Sequence, residues 1–295
     1  MTVLVRATEG FELKRGIKTA VGGKGGVGKT TISAILAQLF AEDGLDVMAV
    51  DADPDTNLCN AFGIGAEQAP EPLIKMKALI AERTGTDKAA IGAYFKLNPD
   101  VSDLPDKYCL KLNEFNSLVE GGNYPASLKL FVLGAITQAG GGCACAEGAF
   151  LKAFLAHTLL HRQEMILVDL AAGVEFLGRS SIQGIDALIV VVEPGSRSIE
   201  TGAHIAQMGR DLGVKHVACI INKVTEAQQV EAIQSQLKDL IHLVSINYMS
   251  EVQQADMRGA GVYQASGALV ERLREAKDVL NNLTKSSVDS GVSDG

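Results

Sequence analysis

Apolar residues along this chain fall into two kinds of run, and the two kinds alternate. Short, mostly apolar runs at 17–21, 47–50, 130–133, 165–168, 187–192, 216–221 and 243–246 have the length and β-branched content of strands covered on both faces. Between them lie stretches with helical spacing. Residues 31–42 carry Ile32, Ile35, Leu36, Leu39 and Phe40 ahead of Gly44, and 147–161 carry Phe150, Ala153, Phe154 and Leu155. Residues 198–212, 227–240 and 265–283 read as helices in the same way. This alternation, without internal repeats, predicts an α/β, doubly wound, mostly parallel sheet of about seven or eight strands flanked by helices. Right-handed crossovers then bring the C-terminal ends of the strands, with any motifs they carry, to one edge.

Residues 64–129 break the alternation. Pro72 ahead of Leu73, Ile74, Met76, Leu79 and Ile80 predicts one helix, and Pro99, Pro105 and Pro125 interrupt the remainder. This stretch reads as an insertion packed on the core. Residues 1–16 form an N-terminal extension, 17–284 a single domain, and the Ser/Asp/Gly-rich 285–295 a disordered tail.

A chain of 295 residues can bury a full core. Its net charge of −8 argues against a general nucleic-acid or acidic-lipid surface. No apolar stretch is long enough to span a bilayer, and the first residues lack a signal-peptide core. Five cysteines without framework spacing fit a reducing cytoplasm. The expectation is therefore a cytoplasmic protein with no nucleic-acid partner and no membrane span.

The chemistry concentrates at the strand ends. From Gly23 to Thr30 the chain reads G-K-G-G-V-G-K-T, a G-x-x-x-x-G-K-T phosphate loop between a strand and a helix N-terminus. Gly23, Gly25, Gly26, Val27 and Gly28 supply a bare backbone whose N–H groups can face a polyphosphate. Lys29 can bridge terminal phosphates, the Thr30 hydroxyl can hold Mg²⁺, and Thr31 follows in the same helix turn. A second loop lysine, Lys24, crowds its own phosphates and is placed to serve a neighbouring site. Asp51 and Asp53 end the second strand at the rim where α/β sheets bind ligands. Asp51 can hold the water shell of Mg²⁺, and Asp53 can orient an attacking water. Asp169 ends the strand at 165–168 in a Walker B position. Asn222-Lys223, also at a strand end, resembles the base-recognition pair of P-loop proteins, whose amide reads an adenine edge while the lysine stem covers the ring.

Cys143-x-Cys145 lies just before a predicted helix, whose positive end favours thiolate, the form that binds metal. One pair supplies two soft ligands, too few for a closed site, whereas a symmetric dimer supplies four. His157 and His161 lie too far along the helix to share that ion and read as helix-surface residues.

K-G-G-V-G-K-T-T resembles the deviant Walker A loop of the MinD/ParA/nitrogenase-iron-protein superfamily. The resemblance implies a nucleotide-sandwich homodimer, with Lys24 reaching into the partner's ATP/ADP site as a catalytic residue beside Lys29 and Asp53. It also implies that D-x-D-P at 51–54 is a first switch and that D-L-A-A-G at 169–173 is a second, in which Gly173 lets the backbone approach the γ-phosphate. G-G-G-C-A-C-A-E-G-A-F-L, V-D-L-A-A-G-V-E-F-L-G-R and V-V-E-P-G-S-R-S are similar to the CO dehydrogenase nickel-insertion ATPases of the CooC type, a pattern shared by acetyl-CoA synthase maturation ATPases. Ala171 stands where that family often has an acidic residue. The resemblance implies Ni²⁺ held by Cys143 and Cys145 of two subunits and delivered to a nickel-dependent CO dehydrogenase or acetyl-CoA synthase; four thiolates also suit Zn²⁺. Two other readings stay open: an ATPase carrying an iron–sulfur cluster, and a positioning ATPase of the MinD/ParA kind.

Overall fold

The computed structural model describes residues 16–86, 96–134, 144–162, 164–171 and 184–289; side chains at 144, 145, 161 and 285–289 lie outside that description. In chain order the elements are β1 (Lys18–Gly23), α1 (Lys29–Glu42), β2 (Val47–Ala52), α2 (Leu58–Ala61), α3 (Lys77–Thr84), α4 (Leu104–Tyr108), β3 (Leu110–Lys111), β4 (Leu128–Val132) and α5 (Ala144–His161). They continue with β5 (Met165–Leu170), β6 (Ala187–Val192), α6 (Ser196–Asp211), β7 (His216–Val224), α7 (Ala227–Gln236), β8 (Ile241–Asn247), α8 (Ser250–Arg258) and α9 (Gly267–Asp289).

All eight strands form one sheet in the order β3-β4-β2-β5-β1-β6-β7-β8. Every pairing is parallel except β3 with β4. The mostly apolar runs follow from that position: β1, β2, β5 and β6 are buried along their whole length, because helices cover both faces. Alternate residues feed two cores. Val47 and Ala49 join α1 and α9 on one face, while Met48 and Val50 join α5, α6 and α7 on the other. Phe131 of β4 stacks on Phe154 of α5, with ring centroids 4.4 Å apart, and fixes that helix to the sheet.

The insertion wraps the β4 side of the sheet and contributes to both cores. Leu73, Ile74, Ile80, Val101 and Leu104 pack on the α5 face, whereas Leu112, Val119 and Tyr124 pack on the α1 face. The single helix expected after Pro72 is instead a 3₁₀ turn, Leu73–Lys75, followed by α3. The Ile74 amide donates to the Leu133 carbonyl at 3.1 Å, and this tie to the end of β4 draws the first turn out of the helical ladder.

Several boundaries differ from the sequence reading. Helix α5 starts at Ala144, so Cys145 lies inside its first turn rather than before it. Helix α9 continues to Asp289, past both the boundary at 283 and the start of the tail expected at 285. The helix expected over 227–240 ends at Gln236. The short helices α2 and α4 were not anticipated, nor were β3, only two residues long, and α8, whose polar sequence turns little more than Val252 and Ala255 inward.

Phe154→Ala should lower the free energy of unfolding by about 3–5 kcal/mol, since it removes a fully buried ring and leaves a cavity against Phe131. Urea unfolding monitored by circular dichroism reads this as a lower midpoint.

Candidate functional site

Parallel register brings the key residues together. Asp51 of β2 lies opposite Asp169 of β5, and Val21 of β1 lies opposite the same Asp169. The phosphate loop and two carboxylates therefore leave the sheet side by side, where the chain order reverses across β1. Gly23, at φ +152°, is the last residue of β1 and not part of the open loop. A Cβ there would stand 2.3 Å from the Val191 carbonyl oxygen of β6, so only glycine permits the close approach. Gly28, at φ +97°, begins α1, and a Cβ there would stand 2.5 Å from Asn222 Nδ2. No side chain caps the N-terminus of α1, which leaves its amides directed at an anion site.

Lys29 is buried and donates across the loop to the Lys24 carbonyl at 3.2 Å. Burial pushes its pKa down, and the nearby Asp169 and Asp53 oppose that shift. Asp169 accepts from Ser33 Oγ at 3.1 Å and from the Thr30 hydroxyl. Burial raises the Asp169 pKa to about 6. It raises Asp51 to about 7, with the charge of Asp169 adding to the rise. The Asp51 carboxylate also accepts from the amides of Leu58 (2.8 Å) and Asp53 (3.1 Å). Two buried carboxylates beside a threonine hydroxyl fit a hard divalent cation such as Mg²⁺. Among the described residues no group of three or more His, Cys, Asp or Glu could hold a metal ion alone. Thr30, Asp51 and Asp169 are the residues that could hold Mg²⁺ brought in with a nucleotide.

A cleft of about 500 Å³ runs from Gly26, Lys29 and Thr30 to a far end lined by Asn222, Lys223 and residues of the β8–α8 segment. Its size suits a nucleotide. Asn222 Nδ2 donates to the Val27 carbonyl at 2.8 Å, and its Oδ1 accepts from the Lys223 amide at 2.9 Å. Lys223 has φ +58°, donates to the Gly26 carbonyl and pairs with Glu193 at 3.0 Å. The Asn-Lys pair thus grips the phosphate loop as well as lining the cleft.

The CobQ/CobB/MinD/ParA nucleotide-binding domain matches residues 18–262. The chain belongs to that family. It is 41% identical over 254 residues to the carbon monoxide dehydrogenase accessory protein CooC of Rhodospirillum rubrum, covering 85% of this chain and 91% of that protein. It is 34% identical to an uncharacterised ATP-binding protein of Methanocaldococcus jannaschii, covering 91% and 98% of the two chains. Among solved structures it resembles the MinD cell division protein of Aquifex aeolicus, with a TM-score of 0.61 at 17% identity over 90% of this chain and 97% of that one. MinD of Pyrococcus horikoshii complexed with Mg-ADP gives a TM-score of 0.58 at 17% identity, covering 91% and 96%. At these identities the two structures support the fold alone.

As a CobQ/CobB/MinD/ParA-family ATPase and a CooC homologue, the chain keeps most of the anticipated site residues at one rim. Asp53 is half-buried beside Asp51. The Lys24 ammonium has no hydrogen-bond or ion-pair partner among the described residues. Gly173 and Cys143 lie outside the described residues, as does the side chain of Cys145. Of the other cysteines, Cys59 and Cys219 are buried, and burial pushes both thiols up to about 12. The sequence reading missed Asn60, Tyr248, Met249, Gln253 and Asp256, all of which line the cleft. The available signal was a strand end followed by a short polar helix stopped by Gly259, at φ +63°.

Gly28→Ala should abolish nucleotide binding measured by calorimetry while the protein stays folded, because the added methyl meets Asn222 and strains a left-handed residue. In nucleotide-free, metal-free protein the raised pKa values of Asp51 and Asp169 mean that the native state retains protons which the unfolded chain releases. Ionisation of these groups destabilises the fold above about pH 7, and the penalty is relieved as pH falls through 7 and 6. The thermal midpoint should therefore rise between pH 8 and pH 5.5.

Proposed function

We propose that this ATPase is a nickel chaperone, which dimerises with nucleotide and delivers Ni²⁺ to a nickel-dependent CO dehydrogenase or acetyl-CoA synthase. The observation that carries the reading is the 41% identity to a carbon monoxide dehydrogenase accessory protein along nearly its whole length. The Cys143-x-Cys145 pair at the start of α5 supports it.

Two chains close over ATP, and Lys24, whose ammonium has no partner among the described residues, neutralises phosphate charge in the opposite site. Lys29 bridges terminal phosphates within its own chain. Thr30 and Asp51 serve Mg²⁺, whose charge offsets that of the phosphates when bound. Asp53 orients the attacking water, and Asp169, held by Ser33 and Thr30, passes the loss of the γ-phosphate to the segment ending at Gly173. The nickel ion is cargo, gripped by Cys143 and Cys145 from both subunits. A four-thiolate site also accepts Zn²⁺, so isolated protein can carry zinc. Among the described residues no helix is long and apolar enough to cross a membrane.

The test is metal stoichiometry by equilibrium dialysis, with molecular mass by light scattering, after anaerobic purification. Wild type with a non-hydrolysable ATP analogue should bind about one Ni²⁺ per two chains. Cys143→Ser/Cys145→Ser should lose it while retaining nucleotide binding. Metal retained by the double variant, or a single-copy mass for metal- and nucleotide-loaded protein, would overturn the proposal. An iron–sulfur absorption band would favour the cluster-carrying reading instead.

A further inference from the structure

One residue of the nucleotide site also holds the end of a strand outside it. The main-chain carbonyl of Asp51 accepts from the amides of Leu133 (2.9 Å) and Gly134 (3.1 Å), just past β4. The Leu133 carbonyl accepts in turn from Ile74. Gly134, at φ +73°, sits so close that a Cβ would stand 2.8 Å from Ile74 Cγ2. Ile74 is buried in the core shared with α5, and α3 begins three residues later. Helix α3 lies against α5, where its first residue, Lys77, pairs with Glu147 at 2.5 Å. Glu147 stands two residues after Cys145 in the same helix. At the other end of α3, Arg83 makes a bidentate pair with Asp103, the residue before α4, at 2.9 and 2.7 Å. The helix is thus tied at both ends.

We propose that α3 connects the nucleotide site to the cysteine-bearing helix, with Ile74 and Lys77 as its positioning residues; this deepens, and rests on, the nickel-chaperone reading. The carboxylate of Asp51 lies beside Asp169 at the end of the phosphate-loop strands and holds the amides of Asp53 and Leu58, while its carbonyl anchors the β4 end, so a displacement of this residue reaches Ile74 through two short hydrogen-bonded steps. A connector transmits only if its contacts differ between nucleotide states. The Lys77–Glu147 pair is the contact suited to being remade: Lys77 is 65% exposed, and such pairs are individually weak. The Ile74 contacts are buried and travel as one piece.

Hydrogen exchange of amides 146–151, with ADP and with a non-hydrolysable ATP analogue, tests this directly, alongside Ni²⁺ affinity in the same two states. Wild type should show a nucleotide-dependent difference at this turn. Lys77→Ala should reduce the ratio of the two Ni²⁺ affinities by about two- to fivefold and shrink the exchange difference, with Mg²⁺-dependent ATP turnover in the absence of nickel unchanged. Lys77→Arg should restore both. The connector is overturned if wild type shows no nucleotide-dependent exchange there, or if Lys77→Ala keeps the wild-type difference. If wild type binds no nickel while the exchange difference still follows Lys77, the chaperone reading fails and the connector stands.

Discussion

Two carboxylates buried at the ends of neighbouring parallel strands cannot both ionise cheaply, and the rest of the site follows from that conflict. Asp51 and Asp169 are paired across the sheet, each with almost no access to solvent. The Lys29 ammonium lies close enough to favour ionised Asp169, yet it too is desolvated. Amide donors from Leu58 and Asp53 lower the cost at Asp51 without removing it. Without nucleotide, the rim therefore stores unfavourable charge. A cation held beside these carboxylates would relieve this, which would make occupancy a matter of electrostatics as much as of shape.

Most of the sheet was legible because a strand buried on both faces is mostly apolar, and a parallel strand needs a helix to return the chain. The phosphate loop was legible because its glycines follow from geometry. Gly23 lies against the Val191 carbonyl, and Gly28 against Asn222. The far end of the cleft was not. Tyr248, Gln253 and Asp256 carry no spacing rule of their own, and α8 presents too few apolar positions to register as an amphipathic helix. The break at Met76 was hidden for a different reason. It depends on a hydrogen bond from Ile74 to Leu133, residues far apart in the chain, and local periodicity cannot anticipate a tertiary tie. The partners of Asn222 and Lys223 in the phosphate loop were hidden in the same way.

The insertion is built into the domain rather than hung upon it. By entering both cores it makes the β4 side of the sheet continuous with the helices of each face. Tyr124 donates to the Phe62 carbonyl just past α2, and the Val262 amide donates to Ala61 at 2.9 Å, so the segment after Asp51 is braced from two directions. Any shift of the segment after Asp51 thus bears on packing well beyond the phosphate loop.

The two-residue β3 has a consequence out of proportion to its length. It pairs antiparallel with β4, setting Lys111 opposite Lys129 and Leu110 opposite Leu130. A bare parallel edge offers a template for another molecule's strand, and growth by such addition leads to fibres. Here the rim is occupied by a stub too short to propagate the ladder, with two like charges across it. The protein is guarded on that flank against lateral polymerisation.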